Sequence, residues 1–476
     1  MAVPLLLQLL GALATLLAPS TARPVAANAS AAPSVVEVRV GVLLPEHMPY
    51  PWAYPWARPR VGPALSLALE ALEPQLRHAG LALRTTFAST ENKNGDCDYD
   101  VAFRKTIDLQ SSHDPDVLLG LACSISSSLA ALARHWRLPL LRAGDSWSHT
   151  SRASGNTTVY AGPARPADRR AFEEQLLRHF NWTCPPVFAV GPGSDWRHHY
   201  SWLTFEQHSW VAPTLTDRMY RYEKRVDEAV RFIRANGRVV YILGSPETLQ
   251  EIMRLVQAQN MANGDYVFIH LDILGRSLRA EGHREAAKPW QSKESRDVGG
   301  LREAFQTVLV VTYHGIQTPE YQQFQSRVIL RAQRDFGVAL NDSLGTLVAG
   351  CFHDVLLLYL RALNETLREG GTKRDTSRIL EKMRGLKIQG VTGTVSINSD
   401  NDREMDFDLW AMRDVESGEY QVVAHYVGSE KQIKWLGPIH WKKGGPPLDN
   451  PPCAFDMDDP SRGTEFIWKG VTEFKS

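Results

Sequence analysis

Short apolar runs alternate with helical segments along most of the chain, and this alternation limits the fold more than any other feature of the sequence. Between residues 36 and 145, predicted strands at 36–44, 81–87, 116–120 and 138–141 are separated by predicted helices at 64–73, 101–109 and 126–136. Parallel strands need a crossover of about a dozen residues or more, usually a helix. The pattern therefore predicts a parallel sheet covered by helices on both faces. Residues 49–63, rich in Pro and Trp, are predicted to form a loop.

A second set of the same kind begins near residue 156. Predicted helices at 167–180, 223–235 and 246–259 alternate with predicted strands at 187–190, 238–243, 266–271 and 307–311, and a helix at 320–335 follows. The predicted fold class is therefore α/β, with two parallel-sheet lobes.

The stretch from Leu344 to Met412 returns the chain from one lobe to the other. It is predicted to contain a long apolar helix at 345–367, a polar helix at 375–384, the segment Gly390-Val-Thr-Gly393, an alternating strand after it, a polar turn at 398–403 and a second strand at 407–412. In the long helix Val348, Cys351, Val355, Leu358 and Ala362 recur at helical spacing and are expected to face a core. The glycines at 390 and 393 favour a flexible crossing.

These segments divide the chain into two lobes, since 476 residues are too many for one core. Residues 36–145 with 313–388 are assigned to one lobe, and residues 146–312 with 389–455 to the other. The chain would then cross between the lobes three times, and a cleft between hinged lobes commonly binds a ligand. The tail 456–476 has no periodicity and is expected to be loose.

The charges of the chain balance, with 53 basic and 53 acidic residues. A nucleic-acid-binding protein normally carries a basic excess or a basic patch. The composition therefore weighs against nucleic acid as a partner.

The first 22 residues carry an apolar run followed by Ser20-Thr-Ala22, which is typical of a secretory signal peptide rather than a short core helix. After it, no run reaches the ~18 uninterrupted apolar residues that a membrane span needs. Five Asn-x-Ser/Thr sequons agree with export and are expected at the surface if glycosylated. They are Asn28, Asn156, Asn181, Asn341 and Asn364. The chain as given is expected to be secreted.

The chain has five cysteines, an odd number that leaves at least one without a partner inside the chain. Cys97 and Cys123 bracket one helix–strand unit and are predicted to form a disulfide. Cys351, on the apolar face of the long helix, is predicted to be a free core thiol. The states of Cys184 and Cys453 stay open.

Catalytic and metal-binding motifs are absent from the sequence, so neither an enzyme nor a metal centre is predicted. Gly191-Pro-Gly-Ser194 lacks the lysine of a phosphate loop. The adjacent His198 and His199 rarely converge on one ion, and exposed imidazoles are the simpler interpretation. Asp400 and Asp402 lack the spacing and closing glutamate of a calcium loop, which favours a polar turn.

One segment is richer in aromatic residues than the chain as a whole, with seven aromatics between Trp196 and Tyr222. Aromatics among carboxylates form recognition surfaces for peptides that carry apolar and basic residues. Tyr200, Trp202 and Glu206 are therefore candidate peptide-binding residues. Packing of the same rings inside the second lobe is the alternative.

Nine stretches, in order along residues 36–460, are similar to the extracellular domain of natriuretic peptide receptors, a family of membrane guanylate cyclases, and most closely to its type B members. They are Val42-Leu-Leu-Pro-Glu-His47, Arg60-Val-Gly-Pro-Ala-Leu65, His135-Trp-Arg-Leu-Pro-Leu-Leu141, Phe232-Ile-Arg-Ala-Asn-Gly-Arg238, Gly264-Asp-Tyr-Val-Phe268, Arg302-Glu-Ala-Phe-Gln-Thr-Val-Leu-Val310, Asp335-Phe-Gly-Val338, Gly390-Val-Thr-Gly393 and Asp449-Asn-Pro-Pro-Cys-Ala-Phe-Asp456.

The resemblance implies a bilobed type I periplasmic-binding-protein-like fold and a role as a hormone receptor ectodomain. It implies a dimer that holds one natriuretic peptide, C-type or atrial, between its two membrane-proximal lobes. The membrane-distal lobes would pair through His135 and Trp136. The resemblance also implies that Glu206, Tyr220 and Tyr222 correspond to residues that contact the peptide in the family. The family's first disulfide falls on Cys97 and Cys123, in agreement with the pairing predicted from the residues alone.

Two departures from the family pattern change the expectations. The family's chloride site uses a serine and a Gly-Cys pair; here these positions are Thr90 and Ala122-Cys123, which weighs against chloride, so no cofactor is expected. Nine residues after Cys453 the family has a second cysteine, followed by a membrane span, a kinase-like domain and a cyclase. Here that position is Arg462 and the chain ends at Ser476.

The chain is therefore expected to be a soluble or truncated receptor form without cyclase activity. Such a form would act as a hormone sink, as a homodimer or paired with a full-length receptor. If the native product carries the missing span, the expected location is the extracellular face of the plasma membrane. The main alternative is a small-molecule binding protein that uses the interlobe cleft. An exported enzyme and a splice product without function are the remaining alternatives.

Overall fold

The computed structural model describes residues 35–47, 56–120, 127–143, 157–163, 166–184, 186–190, 219–221, 225–272, 277–278, 287–291, 300–315, 318–340 and 343–449.

The helices of the described residues lie where the sequence predicts helices, with ends that differ by a few residues, except for the short helix Leu301–Ala304, which was not predicted. They are α1 (Arg58–His78), α2 (Tyr99–His113), α3 (Ser127–His135), α4 (Pro166–His179), α5 (Val226–Asn236), α6 (Pro246–Ala258), α7 (Leu301–Ala304), α8 (Pro319–Phe336), α9 (Ser343–Arg368) and α10 (Thr376–Gly385). A 3₁₀ turn, Phe305–Thr307, extends α7.

Helix α1 begins inside the segment that was predicted to be a loop. Its first turn contains Pro59, which a helix tolerates there because the first N–H groups have no acceptor within the helix. The apolar residues that follow, among them Val61, Ala64 and Ala68, are fully buried and pack α1 against α9. The loop prediction was therefore wrong for residues 58–63. Their prolines favoured a loop, but the apolar residues among them form a buried face of the helix.

A five-stranded parallel sheet forms the first lobe. Its strands are β1 (Val36–Leu44), β2 (Leu81–Ser89), β3 (Val117–Gly120), β4 (Leu140–Arg142) and β5 (Thr158–Tyr160). They lie in the order β2-β1-β3-β4-β5, and every neighbouring pair is parallel. The predicted parallel sheet is confirmed here. Strand β5 was not predicted, and it extends this sheet beyond residue 145, where the predicted first lobe ends.

A two-stranded hairpin and a larger sheet contain the remaining strands. The hairpin pairs β11 (Lys387–Gly390) with β12 (Gly393–Ser396). The larger sheet contains β6 (Val187–Val190), β7 (Met219–Arg221), β8 (Val239–Leu243), β9 (Val267–Leu271), β10 (Val308–Tyr313), β13 (Phe407–Met412), β14 (Tyr420–Val427) and β15 (Gln432–Trp435).

The larger sheet is mixed, whereas two parallel sheets were predicted. Its order is β15-β14-β13-β10-β9-β8-β6-β7. The strands from β6 to β10 are parallel to their neighbours, but β10, β13, β14 and β15 are joined by antiparallel pairs. The last three strands follow one another through short connections, which suit antiparallel hairpins and leave no room for a crossover helix. The α/β class stands, and the second sheet is corrected to a mixed one.

Helix α9 is the central helix of the first lobe. Its predicted apolar face is confirmed, since Cys351, Val355, Leu358 and Ala362 are 0% exposed and Val348 is 3% exposed. Within the described residues, Thr346–Arg368 is the helical stretch long and apolar enough to cross a membrane, and 89% of its most apolar window is buried inside the protein. Burial against α1 and α10 is what a core helix needs.

Candidate functional site

The chain passes between the two sheets three times, and the three passages meet at one interlobe junction. The first runs from β5 to α4, the second from β10 to α8, and the third from the β11–β12 hairpin to β13. The hydroxyl of Tyr313, at the end of β10, donates a hydrogen bond to the carbonyl of Pro163 and so ties the second passage to the first. The bilobed arrangement with three crossings is therefore present.

The carboxylate of Asp354, on α9, holds the β11–β12 hairpin against the first lobe. It accepts hydrogen bonds from the backbone N–H groups of Val391 and Thr392, both at 2.9 Å, and from the Thr392 hydroxyl. His353 Nδ1 lies 2.8 Å from Oδ1, the carboxylate oxygen that also accepts the Val391 N–H. Burial alone would raise the pKa of Asp354, but these donors and the nearby cations lower the pKa below its ordinary value. Asp354 is thus a buried anion with its acceptors filled.

Arg403 supplies a permanent positive charge near this anion. The side chain is 1% exposed. It donates to the Thr392 hydroxyl at 2.7 Å, to the Thr392 carbonyl at 3.2 Å and to the Thr394 carbonyl at 3.3 Å. The Thr392 hydroxyl therefore links Arg403 to Asp354 in one buried network. Removing one charge would leave the other buried and unbalanced.

The thiol of Cys351 contacts the same guanidinium, at 3.7 Å. Burial raises the pKa of this thiol to about 12. The structure confirms the prediction of a free, buried thiol at Cys351.

The polar turn at residues 398–403 contacts the first sheet directly. The Asn398 side chain accepts the N–H groups of Asp400 and Asp402 at 2.9 and 3.0 Å and so shapes the turn. The N–H of Tyr160, at the end of β5, donates to the carbonyl of Asn401, and the N–H of Arg403 donates to the carbonyl of Tyr160 at 2.7 Å. The predicted turn is confirmed. It joins the third passage to the first.

The glycines at 390 and 393 form a tight hairpin turn, not the flexible crossing that was predicted. A Cβ at Gly390 would lie 2.3 Å from the carboxylate carbon of Asp354, so no larger residue fits without movement. Gly393 has φ +92°, a conformation that side-chain-bearing residues rarely adopt. Gly390 is needed because the backbone closely approaches a buried carboxylate, and Gly393 because of its left-handed conformation.

The predicted hormone contacts fall mostly outside the described residues. Tyr200, Trp202, Glu206 and Tyr222 all lie there. Tyr220 lies on β7, the edge strand of the mixed sheet, where it pairs with Ala189 of β6. The structure therefore places one of the five on a strand and does not test the grouping.

The other predicted site residues are described only in part. Cys97 is disulfide-bonded, while Cys123 and Ala122 lie outside the described residues, so the pairing stays a prediction. Thr90 is fully buried, with its hydroxyl 4.0 Å from the Cys97 sulfur. At the end of α3, His135 is exposed and Trp136 is half-buried.

Two of the predicted glycosylation sites are described. Asn181 is exposed, in a left-handed conformation just after α4. Asn364 is half-buried within α9, less open than expected for a sequon. Asn28, Asn156 and Asn341 lie outside the described residues.

A basic cavity of about 630 Å³ lies beside the first sheet, near the start of β5. Its lining includes four arginines and the first residues of α10. The arginines are Arg134, Arg137, Arg374 and Arg378. Thr157, also in the lining, precedes β5, so the cavity is at the amino ends of the parallel strands. Ligands of open parallel sheets bind at the carboxyl ends. The cavity is therefore not where this fold normally holds a ligand.

A cluster of two histidines and one aspartate lies beside the junction and was not found from the sequence. His314 follows β10, Asp408 is on β13 and His425 is on β14; their ligand atoms all lie within 4.8 Å of one another. The hydrogen bond with Asp408 raises the pKa of His314. Burial would raise the pKa of Asp408, but the hydrogen bonds from both histidines lower it below its ordinary value. Only strand register brings these residues together.

Comparison with models of protein families agrees with the resemblance seen in the sequence. The family described as "Receptor family ligand binding region" (ANF_receptor) matches residues 60–414. A solved structure, the solute binding protein of an ABC transporter from Rhodopseudomonas palustris in complex with 3,4-dihydroxy benzoic acid, has a TM-score of 0.46 at 13% identity over 82% of this chain and 98% of its own.

Similar curated proteins are receptors. "Atrial natriuretic peptide receptor 2" of Bos taurus is 47% identical over 466 residues, 93% of this chain and 44% of its own length. The human protein of the same name is 46% identical over 498 residues, 100% of this chain and 45% of its own length. "Atrial natriuretic peptide receptor 3" of Rattus norvegicus is 28% identical over 69% of this chain. This chain spans less than half the length of the first two relatives.

Proposed function

The chain belongs to the family of receptor ligand-binding regions named ANF_receptor, and on that premise we propose that it is a receptor ectodomain that binds natriuretic peptide hormones. One observation carries the proposal: proteins named atrial natriuretic peptide receptor 2 are 45–47% identical to this chain over 93% of its length in cattle, mouse and rat. Identity at this level over most of the chain supports a shared role as a hormone-binding ectodomain.

The hormone is proposed to bind the exterior of the second lobe near β7, the last strand of the mixed sheet within the described residues. Strand β7 is the edge strand there, and Tyr220 lies on it. The connection from β6 to β7 contains Tyr200, Trp202 and Glu206. Aromatic rings would cover the apolar parts of a peptide, and the carboxylate would pair with its basic residues.

Two copies of the chain are proposed to pair through the end of α3 and to hold one peptide between them on the extracellular side of the membrane. His135 is exposed there, as an interface residue must be in a single chain. Replacing His135 and Trp136 with alanine should shift the protein from dimer to monomer in analytical ultracentrifugation. His78→Ala, at the exposed end of α1, is the control and should leave the dimer intact.

Variants of the second lobe separate hormone binding from the alternative, a small molecule held in the cleft. The full chain is expressed in a secretory cell line, and binding of C-type and atrial natriuretic peptides is measured for Glu206→Gln and Tyr222→Ala. Each variant should weaken binding of the preferred peptide at least about tenfold, since central interface residues carry about 2 kcal/mol or more. Glu37→Gln, an exposed carboxylate on β1 of the other lobe, is the matched control.

Unchanged peptide affinity in both second-lobe variants would contradict the proposed surface. Peptide binding that is instead lost with Glu37→Gln would move the surface to the first lobe.

A further inference from the structure

Three side chains from neighbouring strands meet on one face of the mixed sheet. Asp408 lies directly opposite His425 in the β13–β14 ladder and opposite Thr312 in the β10–β13 ladder. His314 is two residues beyond Thr312, and its N–H donates to the carbonyl of Asp406 at 3.0 Å, which continues the ladder. Since side chains alternate along a strand, His314 projects on the same face as Thr312 and Asp408.

The donor atoms of these three residues already point at one another. Nδ1 of His314 lies 3.0 Å from each oxygen of Asp408, and Nδ1 of His425 lies 3.0 Å from one of them. All three ligand atoms fall within 4.8 Å of one another. Protein ligands of a zinc ion each lie about 2.0–2.2 Å from it, so a small closing movement suffices for one ion to contact all three.

We propose that His314, Asp408 and His425 form a binding site for a divalent transition-metal ion of the zinc class. Two imidazoles and one carboxylate are a donor set that such ions take, whereas calcium and magnesium prefer oxygen ligands alone. The site needs no residue of the proposed hormone surface, and it goes beyond the proposed function.

The exposure of the three side chains suits an exchangeable ion. The Asp408 side chain is 10% exposed and that of His425 is 19% exposed, so two ligands are held within the sheet face. The side chain of His314 is 43% exposed, which leaves a route for the ion and space for a water as a fourth ligand.

A carboxylate shared between two protonated histidines is the other explanation of this geometry. The two imidazole rings lie 4.1 Å apart between centroids and are tilted by 55°. Two cationic rings at that separation repel each other. Asp408 is the one carboxylate that both rings share, although Asp406 also lies near His314. A divalent cation bound by two neutral imidazoles removes this repulsion and uses all three donors at once.

The site would fasten the second passage between the lobes to the mixed sheet. His314 precedes Gly315, whose backbone lies against the hairpin turn of the third passage: a Cβ on Gly315 would come within 3.3 Å of the Gly393 Cα. An ion that holds His314 to β13 and β14 would therefore restrain the junction where two passages touch. Because it binds only the folded site, it would also stabilise the folded protein.

Zinc titration of the full chain tests the proposal without hormone. After chelator treatment, ZnCl₂ is titrated by calorimetry, and thermal unfolding is followed with and without the ion. The expected result is saturable binding at this site with a melting temperature that rises by several degrees. MgCl₂ at the same concentration should change neither measurement.

Substitutions assign the binding to these residues. His314→Gln and Asp408→Asn should each weaken zinc affinity at least about tenfold and remove the rise in melting temperature. The His314→Gln variant should fold normally, because the side chain of His314 is partly exposed. The double variant His198→Gln/His199→Gln is the matched control and should retain both. Zinc affinity that survives in both site variants, or that is lost only in the control, would overturn the proposal, as would the absence of saturable binding.

Discussion

Asp354 and Thr392 are joined by two hydrogen bonds, one from the Thr392 backbone N–H at 2.9 Å and one from its hydroxyl to the same carboxylate oxygen. The pair connects the central helix of the first lobe to the hairpin from which the chain leaves for the second. Arg403 donates to the same hydroxyl at 2.7 Å and supplies the positive charge. The interlobe junction is thus held by a buried ionic network.

Replacing Asp354 with asparagine should lower the free energy of unfolding by about 3 kcal/mol, because Arg403 would be left as a buried charge without its anion. Urea denaturation of the full chain measures this. Asp400→Asn, in the exposed part of the polar turn, is the control and should stay within about 0.5 kcal/mol of the unmodified protein. Equal stability of the two variants would contradict the network.

The same carboxylate should make the junction sensitive to acid. The pKa of Asp354 is lowered in the folded state, so its contribution is fully present above the ordinary aspartate pKa of about 3.9 and is lost as the pH falls through the lower folded value. The stability difference between the unmodified protein and Asp354→Asn should therefore be constant from about pH 7 to pH 5 and shrink below about pH 4. Denaturation curves across this range check it, and a difference that is as large at pH 2 as at pH 7 would count against it.

Two glycine substitutions should differ sharply in effect. Gly390→Ala places a Cβ 2.3 Å from the Asp354 carboxylate carbon, whereas an added Cβ at Gly385 meets nothing within 4 Å. Overpacking of this kind costs roughly 1–3 kcal/mol, so Gly390→Ala should unfold at lower urea concentration. Gly385→Ala should be neutral or slightly stabilising. Similar urea midpoints for the two variants would show that the hairpin turn accommodates the added Cβ at little energetic cost.

Cys351 should resist thiol reagents in the folded protein. Its thiol is fully buried, and burial raises its pKa to about 12, so almost no thiolate forms at neutral pH. Iodoacetamide treatment followed by peptide mass spectrometry should find Cys351 unmodified in buffer and fully alkylated in urea. Rapid alkylation in buffer would mean that α9 is open to solvent.

The sequence predicts elements better than it predicts their contacts. The helical spacing of Val348, Cys351 and Val355 is a local pattern, and α9 shows it almost unchanged. Asp354 and Thr392 are 38 residues apart, and His314 and Asp408 are 94 residues apart. Such pairs depend on how distant elements pack against one another, which the periodicity within one element does not encode.

Two errors have identifiable physical causes. Pro59 conceals the start of α1, although proline is compatible with the first turn of a helix. The last strands of the mixed sheet follow one another closely, and their short connections specify antiparallel pairing. The prediction of a parallel sheet was based on the alternation of strands and helices earlier in the chain, which does not extend to these strands.

The central claim is hormone binding, and calorimetric titration of the unmodified full chain with C-type and atrial natriuretic peptides tests it most directly. We expect saturable binding of at least one of the two, at one peptide for every two chains. A folded dimer that releases no heat with either peptide, at concentrations that saturate a receptor, would contradict the assignment.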